Sequence, residues 1–158
     1  MTRADPDRTA ETPVRRHVRS FVRRAGRVTE RQQRALETLR PRYGVDLPEP
    51  PEAVPRGFWA EQFGRAGPLT LEIGFGMGHS LLEMAEREPA RLFVGVEVHP
   101  PGIGALMAGL EERGLDNVRV LEGDAMAVLD RAFAPGDLDR VQIFFPDPWP
   151  KKRHHKRR

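Results

Sequence analysis

The sequence predicts an α/β domain in which helices cover a parallel sheet. Three observations predict it. From Pro68 onward, short apolar runs alternate with helix-length segments, the pattern of strand–helix–strand units joined by right-handed crossovers. The first run leads straight into a glycine-rich turn, Gly74-Phe75-Gly76-Met77-Gly78. Acidic residues (Glu72, Glu97, Asp124) stand close to the ends of the first three runs.

Each element has a local reason. Residues 1–18 mix Arg, Pro, Asp and Thr with almost no apolar content and read as disordered. Arg19-Ser20-Phe21-Val22-Arg23-Arg24 is basic with two apolar anchors. Thr29 and Gln32 make a capping box, and the helix it opens is expected to run to about Leu39 and stop before Pro41. Leu47-Pro48-Glu49-Pro50-Pro51 begins a proline-rich linker. Phe58, Trp59 and Phe63 place an aromatic face on a short helix, with core packing the favoured role.

Strands are then expected over 69–73, 91–98, 117–121 and 138–145, and helices over 79–88, 102–113 and 125–133. The division is a basic N-terminal arm with a short helix (1–44), a linker with the aromatic helix (45–67), and the sheet domain (68–158).

Composition narrows the function. The chain of 158 residues is 39% hydrophobic, enough for one domain with a core. With no cysteine, a disulfide framework and a thiolate metal site are excluded. No apolar run approaches membrane-spanning length, and no apolar stretch follows Met1 to suggest a secretory signal. The expected compartment is the cytoplasm.

The net charge of +3 conceals segregation. Residues 1–44 carry 12 Arg against 5 acids, residues 45–150 carry 8 Arg against 18 acids, and residues 151–158 carry 6 Lys and Arg with no acid. A dense basic block beside an acidic body points to a polyanionic partner, because cationic side chains displace the counterions condensed on nucleic-acid phosphates.

The glycine turn lets a ligand approach the backbone without meeting a Cβ. Its spacing departs from the dinucleotide pattern, since His79 stands where a further glycine is expected. Glu72, two places before Gly74, would repel a pyrophosphate and attract a cation. S-adenosylmethionine, with its sulfonium and amino groups, suits that charge. Glu97 ends the second strand 19 residues after Gly78, where an acid accepts hydrogen bonds from ribose hydroxyls. Asp124 has two readings that do not exclude each other: acceptor for an adenine amine, or cap of the following helix. In Phe145-Pro146-Asp147-Pro148-Trp149, two prolines restrict the backbone around Asp147. Trp149 reads as packing beneath that turn in preference to stacking on a base.

Glu72-Ile73-Gly74-Phe75-Gly76-Met77-Gly78, Gly95-Val96-Glu97, Gly123-Asp124-Ala125 and, above all, the run from Phe145-Pro146-Asp147-Pro148-Trp149-Pro150 through Lys151-Lys152-Arg153-His154-His155-Lys156-Arg157-Arg158 carry a resemblance. The chain resembles the bacterial tRNA (guanine-N7-)-methyltransferases of the TrmB type from about residue 19 to its last residue. The resemblance implies a Rossmann-like class I S-adenosylmethionine-dependent fold, of which only the N-terminal part of the sheet is present. It implies cofactor contacts from Glu72, Gly74, Gly76, Gly78, Glu97, Asp124 and Asp147, with Asp147 also the catalytic residue. Lys151, Arg153, His154, His155, Lys156, Arg157 and Arg158 would contact substrate. The implied product is 7-methylguanosine in the variable loop of tRNA, made by a monomer or homodimer with no obligate protein partner.

The chemistry agrees with that implication. Guanine N7 has an in-plane lone pair and no proton to lose, so attack on a sulfonium methyl needs alignment more than a strong base. Methylation leaves positive charge on the purine, which Asp147 can offset. Lys151 and Arg153 suit phosphate contacts. His154 and His155 lack the companions of a metal site.

The family pattern continues past Arg158 with further strands and substrate contacts. The sequence is therefore expected to be a fragment whose fourth strand is an exposed apolar edge, and which is inactive alone. Two other functions compete: an RNA-binding remnant without catalysis, and a nicotinamide-dependent oxidoreductase that uses the same glycine turn.

Overall fold

The computed structural model describes residues 26–144. Helix α1 (Glu30–Thr38) opens on the expected capping box. The Gln32 N–H donates to Thr29 Oγ1 at 3.3 Å, and the Thr29 N–H donates to Gln32 Oε1 at 2.8 Å. Two otherwise orphaned donors are thereby satisfied. Helix α1 stops before Pro41, as expected, with Leu39 as its C-cap; a second short helix directly after it was not expected. Helix α2 (Arg40–Tyr43) follows at once with that proline in its first turn, where the missing N–H has no intrahelical acceptor to lose. Helix α3 (Phe58–Phe63) carries the aromatic face.

The remaining elements alternate as predicted: β1 (Leu69–Ile73), α4 (His79–Arg87), β2 (Leu92–Glu97), α5 (Pro100–Arg113), β3 (Val118–Glu122), α6 (Ala125–Ala132) and β4 (Arg140–Ile143). The strands form one sheet in the order β3-β2-β1-β4, every pair parallel. Helix α5 starts two residues earlier than expected, with prolines in its first turn. Strand β4 begins two residues later than expected. Asp139 precedes it and is tied to β1 instead: its N–H donates to the Leu69 carbonyl at 2.9 Å and its carboxylate accepts the Leu69 N–H at 2.7 Å. The expected strand end at Phe145 lies outside the described residues.

This order moves outward from β1 to β3 and then returns to the other side of β1. The order therefore reverses between β1 and β4, and open α/β sheets bind ligands at the carboxyl ends of the strands at such a reversal.

Two apolar layers sandwich the sheet. On one face, Leu81, Leu82 and Ala85 of α4 and Ile103, Leu106 and Leu110 of α5 pack on Phe93, Val118 and Val120. On the other, Trp59 of α3 and Val128 of α6 pack on Leu71, Val94 and Val96. The Trp59 Nε1–H donates to the Ala132 carbonyl at 2.7 Å, and its ring stacks on Phe133 at 5.3 Å. Core packing was the expected role for this tryptophan. Helix α5 buries every residue from Pro101 to Leu110, because α1 covers the side the sheet does not reach. The two helices approach closely at Gly104, where a Cβ would stand 2.6 Å from the Gln32 carbonyl oxygen.

The sheet edges differ. Beside β3, the Val45 N–H donates to the Val120 carbonyl at 3.0 Å, so the segment after α2 extends the ladder. At β4, Val141, Ile143 and Phe144 are 52%, 49% and 53% exposed. Those fractions describe the exposed apolar edge expected from the sequence.

Candidate cofactor site

The turn after β1 is held in place by residues far from it in sequence. Gly74, Gly76 and Gly78 all have positive φ, and the Gly78 N–H donates to the Phe75 carbonyl at 3.0 Å. Glu97 ends β2 and reaches across to the turn: the Gly76 N–H donates to its Oε2 at 2.9 Å. Its Oε1 accepts the N–H groups of Val98 at 2.8 Å and His99 at 3.2 Å. One carboxylate thus joins the turn after β1 to the turn after β2. Helix α5 presses on the same turn, since a Cβ on Gly102 would lie 2.1 Å from the Gly76 carbonyl oxygen. On its other side the turn is open: a Cβ on Gly76 would meet nothing within 4 Å.

Glu72 lies one residue before the end of β1, paired with Gly95 of β2 and Gln142 of β4. It is only 2% exposed. The Gln142 Nε2–H donates to its Oε2 at 3.1 Å, and no other described residue hydrogen-bonds this carboxyl. Burial holds its pKa above the usual carboxylate range, and the Gln142 hydrogen bond pulls it partly back. A buried carboxyl with a neutral partner is costly to ionise until a cation arrives.

Asp124 is the N-cap of α6, its Oδ1 accepting the Met126 N–H at 2.9 Å. The capping reading therefore holds. The segment leading into α1 also reaches this region, because a Cβ on Gly26 would stand 2.9 Å from His99 Nε2.

The structure thus brings Glu72, Gly74, Gly76, Gly78, Glu97 and Asp124 to the carboxyl side of one sheet. They stand at different depths: Glu97 pairs with Glu122 at the strand ends, whereas Glu72 is level with Gly95, two residues further in. The sequence reading set all three acids at strand ends and did not anticipate this. Asp147, Lys151, Arg153, His154, His155, Lys156, Arg157 and Arg158 lie outside the described residues. Sequence reasoning gave no role to Gln142. Its signal was a polar residue in an otherwise apolar run, Val141-Gln142-Ile143-Phe144, but its partner is visible only through the β1–β4 register.

The donor set fits a cationic, ribose-bearing cofactor. An open glycine turn leaves room for an elongated ligand, Glu97 offers acceptors at the rim, and Glu72 offers latent negative charge below. No helix among the described residues is long and apolar enough to cross a membrane.

Residues 66–158 match the protein-family model described as "Putative methyltransferase". The chain is 57% identical over 148 residues to the tRNA (guanine-N(7)-)-methyltransferase of Pseudomonas savastanoi pv. phaseolicola, covering 94% of this chain and 58% of that protein. It is 52% identical over 155 residues to the enzyme of the same description from Pseudomonas fluorescens, covering 97% of this chain and 62% of that protein. The chain therefore spans about three-fifths of the length of these curated relatives. A solved structure described as an antibiotic related methyltransferase aligns with 59% of this chain and 47% of its own, at 17% identity and a TM-score of 0.46, too loosely to bear on the site.

Proposed function

We propose a function from one premise: this chain belongs to the methyltransferase family whose model matches residues 66–158. On that premise it carries the S-adenosylmethionine-binding part of an enzyme that methylates N7 of guanine in the variable loop of tRNA. The observation that carries the reading is the Glu97 carboxylate gripping the Gly76 N–H at 2.9 Å, beside a buried Glu72 with no cationic partner among the described residues. That charge arrangement suits a sulfonium cofactor and opposes a pyrophosphate, which counts against the nicotinamide-dependent alternative. The relatives bearing the tRNA (guanine-N(7)-)-methyltransferase description supply the substrate.

S-adenosylmethionine, when bound, supplies a methyl group made electrophilic by positive sulphur. This chain's residues bind and orient. The remaining lone pairs of Glu97 accept from ribose hydroxyls. Asp124 faces the adenine end. Glu72 provides counter-charge once ionised. Asp147 orients the guanine and offsets the positive charge that builds on it. Lys151, Arg153, Lys156, Arg157 and Arg158 hold phosphates, with His154 and His155 against the RNA. The cytoplasm is the compartment where such a substrate occurs, and a monomer or homodimer suffices.

Calorimetric titration of the chain with S-adenosylmethionine, S-adenosylhomocysteine and NAD tests the cofactor. Binding of the first two with no binding of NAD is expected, and NAD binding alone would overturn the reading. Transfer of labelled methyl to tRNA, with product identified as 7-methylguanosine, tests the substrate. RNA binding by this chain without methyl transfer would select the remnant instead.

A further inference from the structure

We infer that Gln142 is a positioning residue for the cofactor, acting through Glu72: its amide aims and polarises the buried carboxyl across the β1–β4 seam. The inference rests on the cofactor reading above.

The pair has an unusual location. Strands β1 and β4 meet at the point where the sheet order reverses, and Glu72 and Gln142 face each other directly across that seam. The Gln142 Nε2 donates to Glu72 Oε2 at 3.1 Å and approaches Met84 Sδ of α4 at 3.3 Å. Both contacts use the nitrogen, so the amide is clamped between strand and helix with a donor directed at the carboxyl. The carboxyl is 2% exposed, so water cannot stand in for that donor.

Among the described residues, no charged side chain takes over the task. On the same sheet face, Glu97 is engaged with the turns, Glu122 pairs with Arg40, and Arg140 lies 3.8 Å from Glu88. On α4, His79, Glu83, Glu86 and Arg87 are exposed. Among the described residues, burial raises the Glu72 pKa and the Gln142 hydrogen bond lowers it.

Two consequences follow from elementary chemistry. An amide can donate to a carboxylate through nitrogen or, rotated, accept from a carboxylic acid through oxygen. Gln142 can therefore accompany Glu72 through ionisation. Stabilising the ionised form strengthens attraction for a cationic ligand at neutral pH.

The test compares the unsubstituted chain with Gln142→Met, which keeps side-chain length and removes the donor. Gln142→Asn, which keeps the amide and withdraws it by one methylene, is a second probe if the methionine variant does not fold. S-adenosylmethionine affinity is measured by calorimetry across pH 5 to 9. In the unsubstituted chain affinity tightens as pH rises through the Glu72 transition. In either variant the midpoint is expected to move up by about one pH unit, with affinity weakened about 10-fold on the acidic side of the parent midpoint and little changed well above it, the scale of one hydrogen bond to a charged group. In a Glu72→Gln background the Gln142 substitution is expected to change nothing further, since its effect runs through Glu72.

An unchanged pH profile in a folded variant would overturn the role of Gln142 while leaving the cofactor reading intact. No S-adenosylmethionine binding by the unsubstituted chain would overturn both.

Discussion

Glu97 and Gly76 are separated by 21 residues, yet the glycine N–H donates to the glutamate Oε2 at 2.9 Å. The contact makes the acid at the end of β2 a structural clamp on the turn after β1, in addition to any contact it makes with a ligand. Two functions in one carboxylate mean that its removal disorders the site as well as depleting it.

Glu97→Ala is accordingly expected to weaken S-adenosylhomocysteine binding by about 10- to 100-fold, the range for losing hydrogen bonds to a charged acceptor. The turn itself should loosen. Amide exchange at Gly76, Val98 and His99, the donors to this carboxylate, should speed up in the ligand-free protein. Unchanged exchange there would show that the clamp is dispensable.

Glu72→Gln separates stability from function. In the folded chain burial raises the Glu72 pKa, whereas the unfolded carboxyl titrates in the usual range. Between those two values the folded state holds the proton that the unfolded state has lost, so stability declines as pH rises through that window. Glutamine has no proton to lose. Urea unfolding should show the variant equal to the parent at acidic pH and more stable above the window, while its cofactor affinity falls.

Gly104→Val tests how α1 is docked. A Cβ there would stand 2.6 Å from the Gln32 carbonyl oxygen, which is backbone and cannot swing away. A cost of about 1–3 kcal/mol is expected from overpacking, read as a lower urea midpoint with faster amide exchange over residues 30–38.

Trp59→Phe tests the opposite layer. The indole donates to the Ala132 carbonyl at 2.7 Å, and phenylalanine would leave that buried oxygen without its partner. A loss of about 1–3 kcal/mol is expected, with S-adenosylhomocysteine affinity unchanged because the residue lies on the face away from the Glu72–Gln142 pair.

The basic block offers a salt test. Residues 151–158 hold 6 Lys and Arg. If they grip phosphates, the logarithm of tRNA affinity falls linearly with the logarithm of salt, by about 0.7 to 0.9 per phosphate contacted. Replacing Lys156, Arg157 and Arg158 with alanine should make that slope shallower by about 2 to 3. An unaltered slope would place the phosphate contacts elsewhere.

Much of this was legible in advance because it is local. The capping box at Thr29, the strand–helix alternation, the glycine turn and the Asp124 cap each depend on residues within a few positions of one another. Chain geometry then leaves few alternatives. The errors fell where local signals are ambiguous. Pro41 marked the end of α1 correctly but carried no sign of the short helix α2 that follows at once. The depth of Glu72 could not be separated from that of Glu97 without the strand register.

The sequence by itself determined that strands and helices alternate, that a glycine turn follows the first strand, and that acids gather near the strand ends. Those properties come from side-chain periodicity and backbone freedom. Only the tertiary structure decided that β4 returns beside β1, that Glu72 is sealed from water, and that Gln142 is its partner. Burial and cross-strand pairing belong to the assembled sheet. A carboxyl's effective charge depends on the water and donors around it, which the order of residues along one strand does not reveal.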